Sequence, residues 1–346
     1  MHEALLYERL PDFRVRCQTC QWRCAIGDYK YGVCGMYQNM KGSLYNLSYA
    51  EVSSIATDPI EKKPLFHFSP GSSVLSLGTL GCNFHCQHCQ NWEISLADAK
   101  AIQDTCREIP PAKAIELAQE RHCQGLAWTY NEPSVWFEYT LDSAKLAKAN
   151  NLYTVYVTNG YLSPMALDTI GPYLDAWRVD IKGFSDSFYR ELTGVPHWRE
   201  ILEVTKQAKN KWQMHVEVVT NIIPTLNDDD LQLEGIANWI KDELGELTPW
   251  HVTRFYPQHQ MTYLPATSVG SLEKACEIGE KAGLKFIYTG NVPGHQNENT
   301  GCYSCGKIIV ERVGYQTDNK NLAASKCRFC GAELNFRMTG RNGVEK

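Results

Sequence analysis

The chain reads as an α/β protein whose strands form a parallel sheet that curls into a partial or full (β/α) barrel, with a small cysteine-rich module at each end. Two observations predict the barrel. Apolar, β-branched or aromatic runs of strand length recur at residues 73–78, 126–128, 152–157, 176–181, 214–223, 250–255 and 285–288, and segments of helical periodicity separate them. Strand, helix, strand in succession requires right-handed crossovers between parallel strands, with a doubly wound open sheet as the runner-up architecture. The third observation concerns the modules: cysteines cluster near the start, in one central loop and near the end.

A chain of 346 residues, 43% of them apolar, is long enough for one large domain with appendages or for two ordinary domains. Its net charge of -5 offers no basic face, so neither nucleic acid nor an anionic membrane is an expected partner. The first nine residues include acids and no long apolar core, and no apolar run approaches membrane-spanning length; a cytoplasmic location is expected. In a reducing compartment, 14 cysteines are better read as metal or cluster ligands than as disulfides. Cys106, Cys123 and Cys276 stand apart and read as inert core residues.

Residues 1–68 form the first expected unit. Cys17, Cys20 and Cys24 follow the pattern C-x2-C-x3-C, and Gly32 and Gly35 around Cys34 would let the backbone wrap a metal. Four thiolates suit zinc and an iron-sulfur cluster alike, so the identity of the metal stays open. The run Asp58-Pro59-Ile60-Glu61-Lys62-Lys63-Pro64 leads into Ser69-Pro70-Gly71, punctuation that marks a boundary before the main domain, residues 69–290.

The main domain opens with the apolar run 73–78, after which Gly78 and Gly81 permit a sharp turn into a loop carrying Cys82, Cys86 and Cys89. Three thiolates spaced C-x3-C-x2-C on one loop can ligate three corners of a cubane and leave one iron free; a three-cysteine zinc site or a ferredoxin-like carrier are the blander readings. Helix starts are signalled by Pro110-Pro111, by Ser163-Pro164, and by Asn227 as a cap ahead of Asp228, Asp229 and Asp230. In a parallel sheet, functional groups lie at the carboxyl ends of strands. Polar residues stand there after nearly every run: Thr129-Tyr130-Asn131-Glu132-Pro133, Thr158-Asn159-Gly160, Asp180 with Lys182, Thr220-Asn221, and Pro257-Gln258-His259. Trp92, Trp128 and Tyr130 could face a ligand or fill the barrel mouth, and core packing is the expected job of the tryptophans.

The last unit, residues 291–346, carries Cys302 and Cys305, then Cys327 and Cys330, with Gly306 and Gly331 after each pair. Two C-x2-C knuckles at this separation have the spacing of a zinc ribbon. Four thiolates would close the coordination shell, which makes the site a scaffold rather than a catalyst.

The C-x3-C-x2-C loop resembles the cluster motif of the radical S-adenosylmethionine (radical SAM) superfamily. Within it the chain looks like the pyruvate formate-lyase activating enzyme branch and, most closely, the radical SAM member of the AmmeMemoRadiSam group. The supporting stretches include Cys89-Gln90-Asn91-Trp92, Tyr130-Asn131-Glu132-Pro133, Asp180 with Lys182, Asn291-Val292-Pro293-Gly294-His295 and the terminal paired cysteines. The resemblance implies a [4Fe-4S] cluster on Cys82, Cys86 and Cys89, whose free iron binds S-adenosylmethionine, and an oxidoreductase fed electrons by a donor such as flavodoxin or ferredoxin. By position, Asn131 and Glu132 stand where the family has a Gly-Gly-Glu motif, with Tyr130 and Asn131 replacing its glycines. Asn159, Asp180 and Lys182 match groups that hold the cofactor's ribose and carboxylate, and His259 matches a cofactor-contacting histidine.

The substrate implied is a protein glycine, as for the activating enzymes. Radical modification of a small molecule or peptide is the alternative, and a non-catalytic iron-sulfur and zinc protein for electron transfer or interaction is the reading from another class.

Overall fold

The computed structural model describes residues 1–339; residues 340–346, the end of the expected terminal module, lie outside the described residues. Its centre is an eight-stranded sheet. In spatial order the strands are Ile287–Gly290, Trp250–Arg254, His215–Ile222, Ala176–Asp180, Tyr153–Thr158, Gly125–Trp128, Ser73–Gly78 and Ser54–Pro59. The first seven are parallel in chain-sequential order, as repeated right-handed crossovers demand, while Ser54–Pro59 runs antiparallel to Ser73–Gly78 along its whole length. The two end strands do not hydrogen-bond to each other, so of the two expected forms the partial barrel is the one realised. The main sheet thus takes in one strand that precedes residue 69.

A parallel sheet is covered on both faces, and its strands are accordingly mostly buried rather than alternating between buried and exposed. Gly125–Trp128 is buried at every position, and Trp128, Tyr156, Trp177 and Trp250 are all fully buried. Helices connect successive strands. Pro111–Glu120 starts with proline in its first turn, and Pro164–Ile170 is capped by Ser163, whose Oγ accepts the N–H of Ala166 at 3.1 Å.

The cap expected at Asn227 lies elsewhere. Asp229 caps Asp230–Trp239 by accepting the N–H of Gln232, whereas Asn227 is buried and ties Ile223, Asn221 and Lys182 together through its amide. A carboxylate at a helix start gains from the dipole as well as from the hydrogen bond, and the amide is more useful in the turn, where it both donates and accepts. Cys123 and Cys276 are core residues as expected; Cys106 is only half-buried.

The amino-terminal module consists of two small antiparallel sheets. Glu138, at the start of the helix Phe137–Ala149, anchors it: the carboxylate accepts the N–H of Leu5, the Tyr37 hydroxyl and the Asn46 amide. The terminal module is seated through Arg312, which is buried, donates to the carbonyl of Phe66 and lies over its ring. Among the described residues, no helix is long and apolar enough to cross a membrane.

Candidate functional site

The loop that follows Ser73–Gly78 is fixed by its neighbours. Gly81 takes φ +83°, and a Cβ there would lie 2.6 Å from the carbonyl oxygen of Cys34 and 2.6 Å from Met36, so only glycine admits the amino-terminal module this close. Asn131 holds the turn: its amide donates to the carbonyls of Leu80 and Gly81 and its oxygen accepts the N–H of Thr79. Further on, the N–H groups of His85 and Gln87 donate to the carbonyls of Thr193 and Leu192, and the carbonyl of Gln87 accepts the N–H of Gln260. The three cysteines therefore sit on a braced loop at the carboxyl end of the sheet, the rim where parallel α/β folds bind ligands.

Asn159, at the end of Tyr153–Thr158, reaches the same loop. Its side-chain amide donates to Asn83 Oδ1 at 2.7 Å and stands 3.8 Å from Cys82 Sγ. Glu132 is buried beside it and accepts from three donors: the N–H of Ser134, the N–H of Asn159 and the Thr158 hydroxyl. Burial pushes the Glu132 carboxyl up, and those donors counter it. With about four lone-pair positions on a carboxylate, roughly one stays open to a further donor.

Asp180 and Lys182 approach from the next strand. Asp180 accepts Arg178 at 2.6 Å and Lys182 at 3.1 Å; burial would raise its pKa, but the two cations hold it below the ordinary carboxylate value. Burial likewise works against the Lys182 charge, and Asp180 and the nearby Cys86 more than offset it. His88, within the cysteine loop, is buried against this pair, and burial together with the Lys182 charge pushes its imidazole down to about 3. Its Nδ1 has no partner among the described residues, a buried polar atom left for a ligand to satisfy. Tyr189 braces Lys182 by accepting its main-chain N–H.

His259 lies beside the loop with φ +51°, its ring stacked on Trp92 at 5.0 Å. Trp92 is 36% exposed, so it does not serve the core as expected, whereas Trp128 does. A flat pair of stacked rings at a rim, one exposed and one partly buried, suits a planar ligand better than it suits packing.

Burial raises the Cys82 and Cys86 thiols, with Glu132 adding to the effect at Cys82. A metal reverses this, because a coordinated thiol is deprotonated outright. The three thiols interact electrostatically in every pairing, yet among the described residues they are not a set whose sulfurs all lie within 4.8 Å. A cubane with one free iron takes three thiolates, one to each of the other irons, and three thiols on one braced loop are that donor set, so the residues present fit it.

The terminal four differ. Cys302, Cys305, Cys327 and Cys330 place all sulfurs within 4.8 Å of one another, with Cys302–Cys330 at 3.6 Å and Cys305–Cys327 at 3.7 Å. A tetrahedron of Zn–S bonds of about 2.3 Å has edges of about 3.8 Å, so the donor set matches a single closed ion. Cys17, Cys20, Cys24 and Cys34 line one cavity in the amino-terminal module.

Sequence reasoning assigned no role to Asn83, His88, Arg178 or Thr158. Asn83 and His88 lie in plain view inside the cysteine loop, but the partners of Asn83 arrive from segments 51 to 76 positions away, and spacing marks only the thiolates.

Residues 77–235 match the family described as the radical SAM superfamily. The chain is 40% identical to an uncharacterized protein of Methanocaldococcus jannaschii over 97% of this chain and 99% of that one. It is 26% identical to a pyruvate formate-lyase-activating enzyme of Clostridium pasteurianum over 49% of this chain and 72% of that one. A radical SAM methyltransferase from Sphaerobacter thermophilus shares its fold, with a TM-score of 0.50 and 15% identity over 70% of this chain and 71% of the other.

Proposed function

The chain belongs to the radical SAM superfamily, and on that premise we propose that it is an enzyme which reductively cleaves S-adenosylmethionine at a [4Fe-4S] cluster held by Cys82, Cys86 and Cys89. The observation that carries the reading is the meeting of three strand-end groups at that loop: Asn159 beside Cys82, and Asp180 with Lys182 beside Cys86. A reduced cluster on these thiolates would supply the single electron that breaks a carbon–sulfur bond of the S-adenosylmethionine sulfonium, leaving the cluster oxidised by one electron, to be reduced again by an external donor, and yielding methionine and the 5'-deoxyadenosyl radical.

The chain's own residues bind, orient and exclude water. Lys182 complements the cofactor carboxylate, and Asp180 and Asn159 hold its polar groups. Glu132 offers its remaining lone pair to the amino group, a charge-assisted contact, while Asn131 positions the loop. Trp92 and His259 form the planar wall. The relatives named as activating enzymes, one of them of a glycyl-radical enzyme, support a protein glycine as the hydrogen donor. The tight set of terminal thiols supports zinc at Cys302, Cys305, Cys327 and Cys330.

The test is anaerobic. Protein with its iron and sulfide reconstituted is mixed with dithionite and S-adenosylmethionine, and 5'-deoxyadenosine is measured. Its appearance in the wild type and loss in Cys82→Ser supports the reading; its absence with an intact cluster overturns it.

A further inference from the structure

Helices pack on one face of the main sheet, and the other face lines the barrel lumen. Ala176 lies on the lumen face, where Ile60, Leu65 and Phe68 fill the space toward the amino ends of the strands. Because side chains alternate along a strand, Arg178 and Asp180 share that face with Ala176, and the ladder brings Val157, Glu217 and Val219 alongside them. Toward the carboxyl ends, Val157, Arg178, Asp180 and Asn221 stay partly exposed. The lumen is therefore filled at one end and open at the rim that carries the cysteine loop.

Arg178 stands one step deeper in this space than Asp180, and its hydrogen bonding is incomplete. Nη1 donates to Asp180 at 2.6 Å, and among the described residues neither Nε nor Nη2 has a partner, with Nε buried. The carboxylates around it are engaged elsewhere. Glu217, its ladder partner, accepts His215, His251 and the N–H groups of Phe66 and His67, which fills the roughly four lone-pair positions of a carboxylate. Asp58 accepts Lys62, Lys63 and the Tyr130 hydroxyl.

The unused edge has a specific chemistry. In a guanidinium, the Nε and Nη2 hydrogens point the same way, and that fork matches the two oxygens of a carboxylate with a pair of parallel bonds. A buried donor without a partner is costly, so an unfilled one in an open lumen marks a place for a ligand.

We propose that the Nε–Nη2 edge of Arg178 is an anion subsite, and that the substrate entering the lumen carries a carboxylate which this edge holds. In a protein substrate the carboxylate belongs to an acidic side chain near the reacting residue; in a small molecule it is the molecule's own. The word substrate rests on the proposed function, whereas binding of the anion does not.

The experiment is calorimetric titration of full-length protein purified anaerobically, with two probes: succinate, and a tripeptide Gly-Asp-Gly blocked at both ends. Wild type should bind at least one, and the tighter probe tells a free acid from an acidic side chain. Arg178→Met should weaken that binding by at least about tenfold, and Arg178→Lys, which keeps the charge and loses the fork, should restore only part of it. Lys182→Met should bind the probe as wild type does. The proposal is overturned by a wild type that binds neither probe, by unchanged affinity in Arg178→Met, by an equal loss in Lys182→Met, or by displacement of the probe by S-adenosylmethionine, which would give the free edge to the cofactor. Should Arg178→Met fail to fold by circular dichroism, phenylglyoxal labelling of the wild type decides: the probe should protect Arg178, read by mass spectrometry of its peptide, and an unprotected Arg178 overturns the proposal. None of these readings needs turnover, so a protein that binds the probe and makes no 5'-deoxyadenosine loses the proposed function and keeps the anion subsite.

Discussion

The indole N–H of Trp22 donates to the main-chain carbonyl of Asn83 at 2.7 Å, tying the amino-terminal module to the residue that follows Cys82. Trp22→Phe keeps the edge-on contact with Tyr161 and removes only the donor. Loss of one such bond costs about 1 kcal/mol. Urea denaturation should read that loss, with the iron content unchanged.

Lys182→Met removes the cation beside Cys86 while keeping most of the side-chain volume. A charge-assisted contact is worth about 1.5–3 kcal/mol, so the affinity for S-adenosylmethionine should fall by at least about tenfold. Equilibrium binding to the cluster-loaded protein measures it. Iron content should not change, because Lys182 donates to Asp180 rather than to iron.

Asp58 accepts Lys63 at 2.7 Å, Lys62 at 2.9 Å and the Tyr130 hydroxyl at 3.0 Å. Burial pushes its pKa up, but Lys63 and Lys62 pull it down further, and the net shift is below the ordinary carboxylate value. A depressed acid stabilises the fold above its unfolded pKa of about 3.9, and that stability is lost as pH falls toward the folded value. Asp58→Asn leaves Lys63 buried without its counter-charge, which costs about 3–5 kcal/mol at neutral pH. The difference between wild type and variant should shrink below about pH 4, as followed by denaturant midpoints.

His67 is fully buried: one ring nitrogen reaches the carbonyl of Leu334 at 2.8 Å and the other the Tyr288 hydroxyl at 2.5 Å. The neutral ring satisfies both, its Nδ1–H donating to the carbonyl and Nε2 accepting the hydroxyl. Burial pushes its pKa down to about 3. The unfolded ring takes up a proton near pH 6.5 while the folded one does not, so stability should fall as pH drops from about 6.5 toward 3, by up to about 1.4 kcal/mol per pH unit. His67→Gln should flatten this limb of the stability profile.

Cys305→Ser breaks the terminal set of four without touching either other group of cysteines. Zinc bound per chain should fall, with iron unchanged, when both are counted on the same sample. The packing of Phe286 and Tyr288 against Cys302 and Cys327 should loosen with it, visible as a loss of near-ultraviolet circular dichroism.

The parallel strands, the loop cysteines and the terminal knuckles were all legible, because each is announced within a few neighbouring residues. Strand periodicity, C-x3-C-x2-C and paired C-x2-C are local patterns. Ser54–Pro59 was not legible as part of the main sheet: its ladder partner lies beyond a proline-rich connection that reads as a boundary. The Asn227 cap failed for a similar reason, since its amide is claimed by Lys182, 45 positions away.

By itself, the sequence determined which side chains the protein has for metal binding and the order in which strands deliver them to one rim. Thiolate spacing on a short loop is a covalent constraint, and it survives without knowledge of the fold. Only the tertiary structure decided how far apart the sulfurs of each set stand, that Glu132 spends most of its lone pairs on Thr158, Asn159 and Ser134, and that Cys34 presses on Gly81 beside Cys82. Those are distances between segments far apart in the chain, set by how the modules pack on the sheet, and no local pattern encodes them.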